Sequence, residues 1–203
     1  MSTKIETMQH SGREFLPAAG HDWLLPLYDP FVALLGGNRV RKKLIEQAHL
    51  QSGQNILDIG CGTGTLSVSI QKNHPGVHII GIDPDIKALS RAQKKAQDAG
   101  VSIKFDQGFS DQLPYPDASF DRVFSTFMFH HLKQSEKEKT LQEVRRVLKT
   151  DGNFFLLDFT RIKNNSEEQI LSLLKAAGFK DSRITKNGSL FFLKVTYFRG
   201  SYS

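Results

Sequence analysis

The feature that most constrains this chain is a short apolar run that ends beside an aspartate and breaks into three alternating glycines. It reads Asn55-Ile56-Leu57-Asp58-Ile59-Gly60-Cys61-Gly62-Thr63-Gly64, and an amphipathic segment, Leu66 to Ile70, follows at once. This order predicts a buried strand, a tight loop and the start of a helix. Glycines let a ligand approach the main chain, and the free N–H groups of the helix start give it a polar floor.

The glycine spacing and the aspartate favour one cofactor class over another. A dinucleotide loop usually has the spacing G-x-G-x-x-G and binds a pyrophosphate at its helix N-terminus. Here the spacing is Gly60-x-Gly62-x-Gly64, and Asp58 lies at the loop entrance, where it would repel a pyrophosphate. A ligand that carries an ammonium and a sulfonium would be attracted instead. We therefore expect S-adenosylmethionine rather than NAD, with a glycine-rich turn that binds nothing as the simpler alternative.

A second strand, His78 to Asp83, ends in another carboxylate. Asp83 lies about twenty residues beyond the last glycine, which is the spacing expected for a carboxylate that accepts both ribose hydroxyls. Because Pro84 follows and a helical pattern begins at Asp85, Asp83 is also a candidate helix N-cap. The two roles are compatible, and we expect ribose binding.

Four stretches together resemble the class I S-adenosylmethionine-dependent methyltransferases, in particular the subgroup with the ubiquinone and menaquinone methyltransferases and many small-molecule methyltransferases. They are Leu57–Gly64, Gly81–Asp83, Leu113–Asp121 and Val147–Gly152. The resemblance covers roughly residues 40 to 180. It implies an α/β fold, a three-layer Rossmann-like sandwich whose seven-stranded, mainly parallel sheet ends in an antiparallel hairpin around Lys186-Asn187-Gly188. Alternating strands and helices independently imply the layered α/β fold.

The resemblance also implies which residues surround the cofactor. Asp58 and the loop would hold the methionyl end, Asp83 the ribose, and the backbone after the fourth strand the methyl side. The predicted cofactor residues are Asp58, Gly60, Cys61, Gly62, Gly64, Asp83, Pro84, Gly108, Phe109, Ser110, Ser125, Thr126 and Phe127.

The sequence departs from the family at Phe109. Many relatives carry an aspartate there, which accepts from the adenine amino group, whereas a phenylalanine cannot accept a hydrogen bond. Phe109 could instead pack on the adenine face, with the Ser110 N–H directed at the ring, or it could be an ordinary core residue. Both interpretations stay open, and the first implies a lower affinity for the cofactor.

Four side chains are candidates for a catalytic base, in no fixed order. His130 and His131 follow the fourth strand, and Asp158 ends the fifth, at the sheet edge where open α/β folds bind ligands. Tyr28 is the fourth candidate, because a tyrosine in the corresponding segment of related methyltransferases closes over the ligand. A structural role is the alternative for each, and two histidines are too few for a catalytic zinc site, so we expect no metal.

Charge and composition limit the partners. The chain has 203 residues with a net charge of +6, which suits nucleic acid or an anionic membrane surface. The cations are spread over several helices, however, including Arg39 to Lys43 and Lys133 to Lys139, and solvated helix faces explain them. We therefore disfavour nucleic acid and leave peripheral membrane contact open. The single cysteine cannot form an internal disulfide, which favours the cytoplasm, and no apolar run is long enough to span a bilayer.

The chain divides into an N-terminal lid and helical segment, residues 1–50, and a cofactor-binding domain, residues 51–203. Quinone methyltransferases generally insert structure after the fifth strand to cover the substrate, and this chain lacks that insertion, which weakens the quinone assignment. We expect methyl transfer to a small molecule, from a monomer or homodimer, with a carbon, oxygen or nitrogen acceptor. An RNA methyltransferase and a cofactor-binding protein without turnover are the alternatives, and a nicotinamide oxidoreductase is the weakest.

Overall fold

Strands and helices alternate along the chain in the computed structural model, which describes residues 36–162, 164–190 and 192–202. The elements are α1 (Gly37–Gln47), β1 (Asn55–Ile59), α2 (Thr65–Asn73), β2 (His78–Asp83), α3 (Ile86–Asp98), β3 (Lys104–Gln107), β4 (Phe120–Thr126), a 3₁₀ turn (Phe129–His131), α4 (Gln134–Val147), β5 (Leu148–Phe159), α5 (Glu167–Ala176), β6 (Asp181–Leu190) and β7 (Leu193–Ser201).

The strands form one seven-stranded sheet in the order β3-β2-β1-β4-β5-β7-β6. The first five are parallel, whereas β7 is antiparallel to both β5 and β6. This architecture confirms the predicted fold class. Because parallel neighbours need crossover connections, the helices cover both faces of the sheet.

Two apolar cores, one on each face of the sheet, follow from the alternation of side chains along the strands. Ile56 of β1 packs in the cluster that contains Val40 and Leu44 of α1. Leu57, the next residue, packs in the opposite cluster, which contains Leu141 of α4. All five side chains are almost fully buried. The two clusters hold the carboxyl ends of the parallel strands in place, and the ligand loop leaves the sheet at that edge.

The strand β6 continues to Leu190 and β7 begins at Leu193, so the prediction of a turn at Lys186-Asn187-Gly188 is wrong. Those residues are paired in the ladder, Asn187 opposite Thr196 and Gly188 opposite Val195. Thr196 Oγ1 donates to Asn187 Oδ1 at 3.0 Å, and Gly188 does not take a positive φ. The side-chain bond across the strands stabilises the extended conformation over a local turn.

The strand β5 is the longest in the sheet. It starts at Leu148, contains Asp151 and Gly152, and carries a register shift against β4 near Phe120. Residues 1–35, including the segment around Tyr28, lie outside the described residues, so the lid stays a prediction. Within the described ranges, no helix is long and apolar enough to cross a membrane.

Candidate active site

A cavity of about 750 Å³ opens at the carboxyl ends of the parallel strands. The glycine loop after β1, the end of β2, residues 108–111 and the exit of β4 line it. Its volume lies in the range of small-molecule and cofactor sites, and open α/β sheets bind ligands at this edge. We take it as the candidate active site.

The glycine loop has a conformation that other residues would resist. Gly60 and Gly64 take φ angles of +67° and +71°. A Cβ on Gly60 would lie 2.4 Å from Cγ of Met128, so the β4 exit packs directly on the loop. The N–H groups of Gly60 and Cys61 both donate to the Ile82 carbonyl, at 2.8 and 3.1 Å. The loop is therefore fixed against β2 before any ligand binds.

Asp83, at the end of β2, lines the cavity and also organises its wall. Its Oδ2 accepts from the Gly62 N–H at 2.8 Å and its Oδ1 from the Asp85 N–H at 2.9 Å. The N-cap of α3 is Asp85, which accepts from Lys87 and Ala88, so the alternative of Asp83 as the cap is wrong. Burial raises the pKa of Asp83 to about 6.

Asp58 lies beneath the loop and is fully buried, and the lining of the cavity does not include it. Its Oδ2 accepts from Ser67 Oγ on α2 at 2.6 Å, whereas its Oδ1 has no hydrogen-bond partner among the described residues. Burial raises the pKa of Asp58 to about 7, and the Ser67 bond and the positive charge of Arg41 oppose this rise. Within the described part of the chain, the Ser67 bond and the charge of Arg41 offset the effect of burial on this carboxyl only in part.

The other predicted cofactor residues divide into two groups. Gly60, Cys61, Gly62, Pro84, Gly108, Phe109, Ser110, Thr126 and Phe127 line the cavity. Gly64 and Ser125 do not, although Gly64 takes the N-cap position of α2 and Ser125 Oγ is a buried atom without a described partner. Burial raises the pKa of the Cys61 thiol, which fits a loop filler better than a nucleophile.

Arg41 is a lining residue that the sequence interpretation missed. Its side chain is only 8% exposed, so the interpretation of the α1 cations as solvated is wrong for this one. Arg41 lies over the Phe127 ring, 5.3 Å from its centroid. The signal was available in the sequence, since Arg41 precedes the core residue Ile45 by one helical turn.

The exit of β4 carries local backbone strain. Phe127 takes a φ of +56°, an uncommon conformation for a bulky residue, and its ring stacks on Phe159 with centroids 5.0 Å apart. Its N–H donates to the Leu157 carbonyl at 2.9 Å, which fixes the turn. Strained residues of this kind often belong to ligand sites, and this one lines the cavity.

The structure brings three of the four candidate bases together. Asp158, fully buried, accepts from the His130 N–H at 2.8 Å and pairs with His130 Nδ1 at 2.6 Å. The His130 ring lies against the His131 ring, with centroids 3.9 Å apart. Of these three, only His131 lines the cavity. Burial lowers the pKa of His131 and the neighbouring His130 lowers it further, against the attraction of Asp158. Tyr28 lies outside the described residues.

One further buried cation supports this corner. Lys137 of α4 is 2% exposed, which also contradicts the solvated interpretation of its helix. Its Nζ donates to the Asn164 carbonyl at 2.6 Å and to Asn165 Oδ1 at 2.7 Å. Asn165 in turn donates to the Phe159 carbonyl at 2.6 Å. The segment after β5 is thus anchored beside Asp158 without a long insertion.

The charges of the lining fit a cationic ligand. It contains four carboxylates, Asp83, Asp85, Asp111 and Glu136, against two cations, Arg41 and Lys133. Three buried oxygens near the loop, Asp58 Oδ1, Asp85 Oδ2 and Ser125 Oγ, have no partner among the described residues. Such groups favour a bound ammonium or sulfonium and disfavour a pyrophosphate. The residues present therefore fit S-adenosylmethionine.

Comparison with known proteins finds similarity to methyltransferases. Residues 56–152 match a methyltransferase domain family. The chain is 32% identical over 139 residues to the demethylmenaquinone methyltransferase of Thermus thermophilus, an alignment that covers 67% of this chain and 62% of that protein. The chain thus spans about three fifths of the length of this curated relative.

Solved structures share the fold. The crystal structure of YcgJ from Bacillus subtilis superposes with a TM-score of 0.71 at 20% identity, covering 80% of this chain and 97% of that one. A SAM-dependent methyltransferase from Aquifex aeolicus superposes with a TM-score of 0.65 at 22% identity, covering 78% of this chain and 88% of that one. At these identities the likeness concerns the fold alone.

Proposed function

We propose that this protein is an S-adenosylmethionine-dependent methyltransferase that transfers a methyl group to a small molecule. Residues 56–152, which match a methyltransferase domain family, support this. The observation that supports this most is that the glycine loop, the Asp83 carboxylate and the His131 ring all line one cavity. When bound, S-adenosylmethionine supplies an electrophilic methyl carbon. The protein binds the cofactor and the methyl acceptor, orients them for transfer and excludes water from the site.

We assign the binding roles from the contacts of each side chain. Asp83 offers carboxylate oxygens to the ribose hydroxyls, and the loop N–H bonds that it accepts keep it in place. The negative charge of Asp58 attracts the methionyl ammonium from beneath the loop. The positive charge of Arg41, which lines the cavity, attracts the methionyl carboxylate. Phe109 packs against adenine, since it is half-buried in the cavity wall.

We propose His131 as the group that accepts a proton from the methyl acceptor. Its lowered pKa keeps the ring neutral near pH 7, so a ring nitrogen is available. His130 and Asp158 act as positioning residues, because their bond fixes the His130 ring against which His131 lies. A base at this point implies an acceptor that must lose a proton, such as a hydroxyl or an activated carbon.

The lining also suggests the character of the acceptor. Leu66, Phe127, Met128 and Leu132 give one part of the cavity an apolar wall. The relative named for demethylmenaquinone makes a hydroxylated aromatic ring the first acceptor class to try. The chain lacks the insertion after β5 that covers the substrate in quinone methyltransferases. This favours an acceptor with a small ring and no long side chain.

Two alternatives receive less support. The carboxylates of the cavity would repel the phosphates of an RNA substrate. A protein that binds the cofactor without turnover would not need a neutral histidine in the lining.

The test is a labelled-methyl transfer assay with purified protein. The panel contains hydroxylated naphthalenes and phenols, a small amine, and a single-stranded RNA. Label transferred to a hydroxylated ring and absent from RNA supports the proposal. Label in RNA alone, or label in no acceptor although the cofactor binds, would support the respective alternative.

A further inference from the structure

A second cleft lies at the other end of α1, away from the cofactor cavity. It has a volume of about 330 Å³ and is lined by Gln47, His49, Phe155, Thr185, Lys186 and Arg199. Helix α1 connects the two sites, since Arg41 lines the first and Gln47 the second. Nothing in methyl transfer requires this cleft, so its chemistry needs a separate account.

The lining of the cleft is positively charged. Lys186 and Arg199 line it, and its lining contains no carboxylate. The positive charge of Lys186 is the main cause that lowers the pKa of Lys43 on α1, and the charge of Glu46 opposes this lowering. Burial lowers the pKa of Arg122 and the charge of Arg199 adds to this, against the attraction of Asp121. Like charges at this spacing raise the energy of the folded protein unless an anion joins them.

One of these cations, Arg122, forms a hydrogen bond within the protein that explains its position, whereas Lys43, Lys186 and Arg199 form no ion pair with a described residue. Arg122 Nε donates to the Ala48 carbonyl at 3.2 Å, which satisfies the C-terminus of α1, where cations are favourable. Arg199 uses only Nε, for Asn153 at 2.8 Å. Two nearby acids are paired elsewhere, Asp121 with Lys149 and Asp181 with Arg183. A third, Glu46, attracts Lys43 but does not line the cleft.

The donors of the cleft match a phosphate group. The terminal nitrogens of Arg199 form the planar fork that binds oxyanions in pairs. Lys186 adds a mobile ammonium, and Gln47, whose Oε1 accepts from Thr185, has its amide nitrogen left to donate. His49 adds a ring nitrogen and is held at the helix end with a φ of +45°. The buried Phe155 ring closes the floor, so the cleft suits a compact group rather than an extended chain.

We propose that this cleft is an anion site for the phosphate group of a small molecule, bound by Arg199, Lys186 and His49 with Lys43 beside them. The proposal does not depend on the methyltransferase function. Since α1 also carries Arg41, a bound phosphate would hold the helix that forms one wall of the cofactor cavity.

The test is a titration of the whole chain with inorganic phosphate, followed by the ring signals of its histidines in a ¹H–¹³C spectrum. His49 reports on the cleft, and His131 reports on the cofactor cavity. Sodium chloride at matched ionic strength is the control for screening. We expect the His49 signals to shift saturably with phosphate only, while the His131 signals stay in place.

A pair of charge-matched variants locates the site. Lys43→Gln/Lys186→Gln removes two cations at the cleft, and Lys42→Gln/Lys180→Gln removes two exposed cations elsewhere. We expect the first to weaken phosphate binding about tenfold or more and the second to change it less than about threefold. Lys186→Gln alone serves if the double variant unfolds.

Four results would overturn the proposal. They are a His49 shift that chloride reproduces, a shift at His131 instead, equal losses in the two double variants, and binding of single-stranded RNA without binding of phosphate.

Discussion

Ser67 Oγ donates a 2.6 Å hydrogen bond to Asp58 Oδ2, and both side chains are fully buried beneath the glycine loop. This bond links the first turn of α2 to the end of β1. The other oxygen of the Asp58 carboxyl, Oδ1, has no hydrogen-bond partner among the described residues. The protonation state of Asp58 therefore depends both on the Ser67 hydrogen bond and on any cation bound above the carboxyl.

Ser67→Ala should weaken binding of S-adenosylhomocysteine by about tenfold at pH 7. The substitution removes a hydrogen bond to a charged group, which is worth about 1.5–3 kcal/mol, and raises the pKa of Asp58 above its present value of about 7. Calorimetric titration measures the loss. Ser69→Ala on the same helix is the matched control. An unchanged affinity in Ser67→Ala would mean that Asp58 does not contribute to binding.

Cofactor binding should tighten as the pH rises from 5 to about 7.5. Burial raises the pKa of Asp58 to about 7 and that of Asp83 to about 6, so both carboxyls hold protons in the unliganded protein at low pH. A cationic ligand favours their ionised forms, and binding must then release protons. The same raised values mean that the unliganded fold loses stability as the pH rises from about 4 through these pKa values.

The proton release can be measured directly. Titrations at pH 6 in buffers of different ionisation enthalpy give the number of protons released, and we expect at least about 0.5. Thermal unfolding of the unliganded protein across the same pH range tests whether its stability falls as the pH rises through the two pKa values. Binding that is independent of pH would contradict an ionised Asp58 or Asp83 in the complex.

Gly60→Ala should destabilise the fold by at least about 2 kcal/mol. A Cβ there meets both a φ of +67° and Met128 Cγ at 2.4 Å. Gly62→Ala, with a φ of +52° and open space around it, carries the backbone cost alone. We expect Met128→Ala to recover part of the loss in Gly60→Ala when the two are combined. Denaturant unfolding measures each, and equal losses for the two glycine variants would show that Met128 does not pack on the loop.

His131→Asn should lower kcat by about 10²-fold or more with little change in the affinity for S-adenosylhomocysteine. His130→Asn should act through position and stability, since its ring bonds to the buried Asp158. The pH profile of kcat distinguishes the two variants. Only His131→Asn should abolish the rise of kcat with pH that accompanies deprotonation of the base. A His131 variant that keeps full activity would remove His131 from the mechanism.

The cofactor loop could be predicted from the sequence because it depends on local chemistry. Gly60 and Gly64 take positive φ angles, and the apolar run before them is typical of a buried strand. The layered α/β fold follows from the alternation of strands and helices, whereas the seven-stranded sheet was implied by the family resemblance. The hairpin turn was misplaced because residues 186–188 pair with β7, where Asn187 lies opposite Thr196. A local pattern contains no information about that partner.

Two features of the site depend on which elements lie side by side. The helical spacing of Arg41 from Ile45 indicates an inward position, but only the folded chain places Arg41 over the Phe127 ring. His130 and Asp158 were predicted as separate candidates, and their bond was not predicted. They are 28 residues apart, and they meet because β4 and β5 are neighbours in the sheet.

The most direct test of the account is a calorimetric titration of the purified protein with S-adenosylmethionine, S-adenosylhomocysteine and NADH. We expect the two adenosyl ligands to bind and NADH not to bind. Asp83→Ala should weaken both by about 10²-fold, since two hydrogen bonds to a charged group are lost, whereas Asp98→Ala on the exposed face of α3 should not. Absence of binding by both adenosyl ligands, or binding that Asp83→Ala leaves intact, would contradict the account.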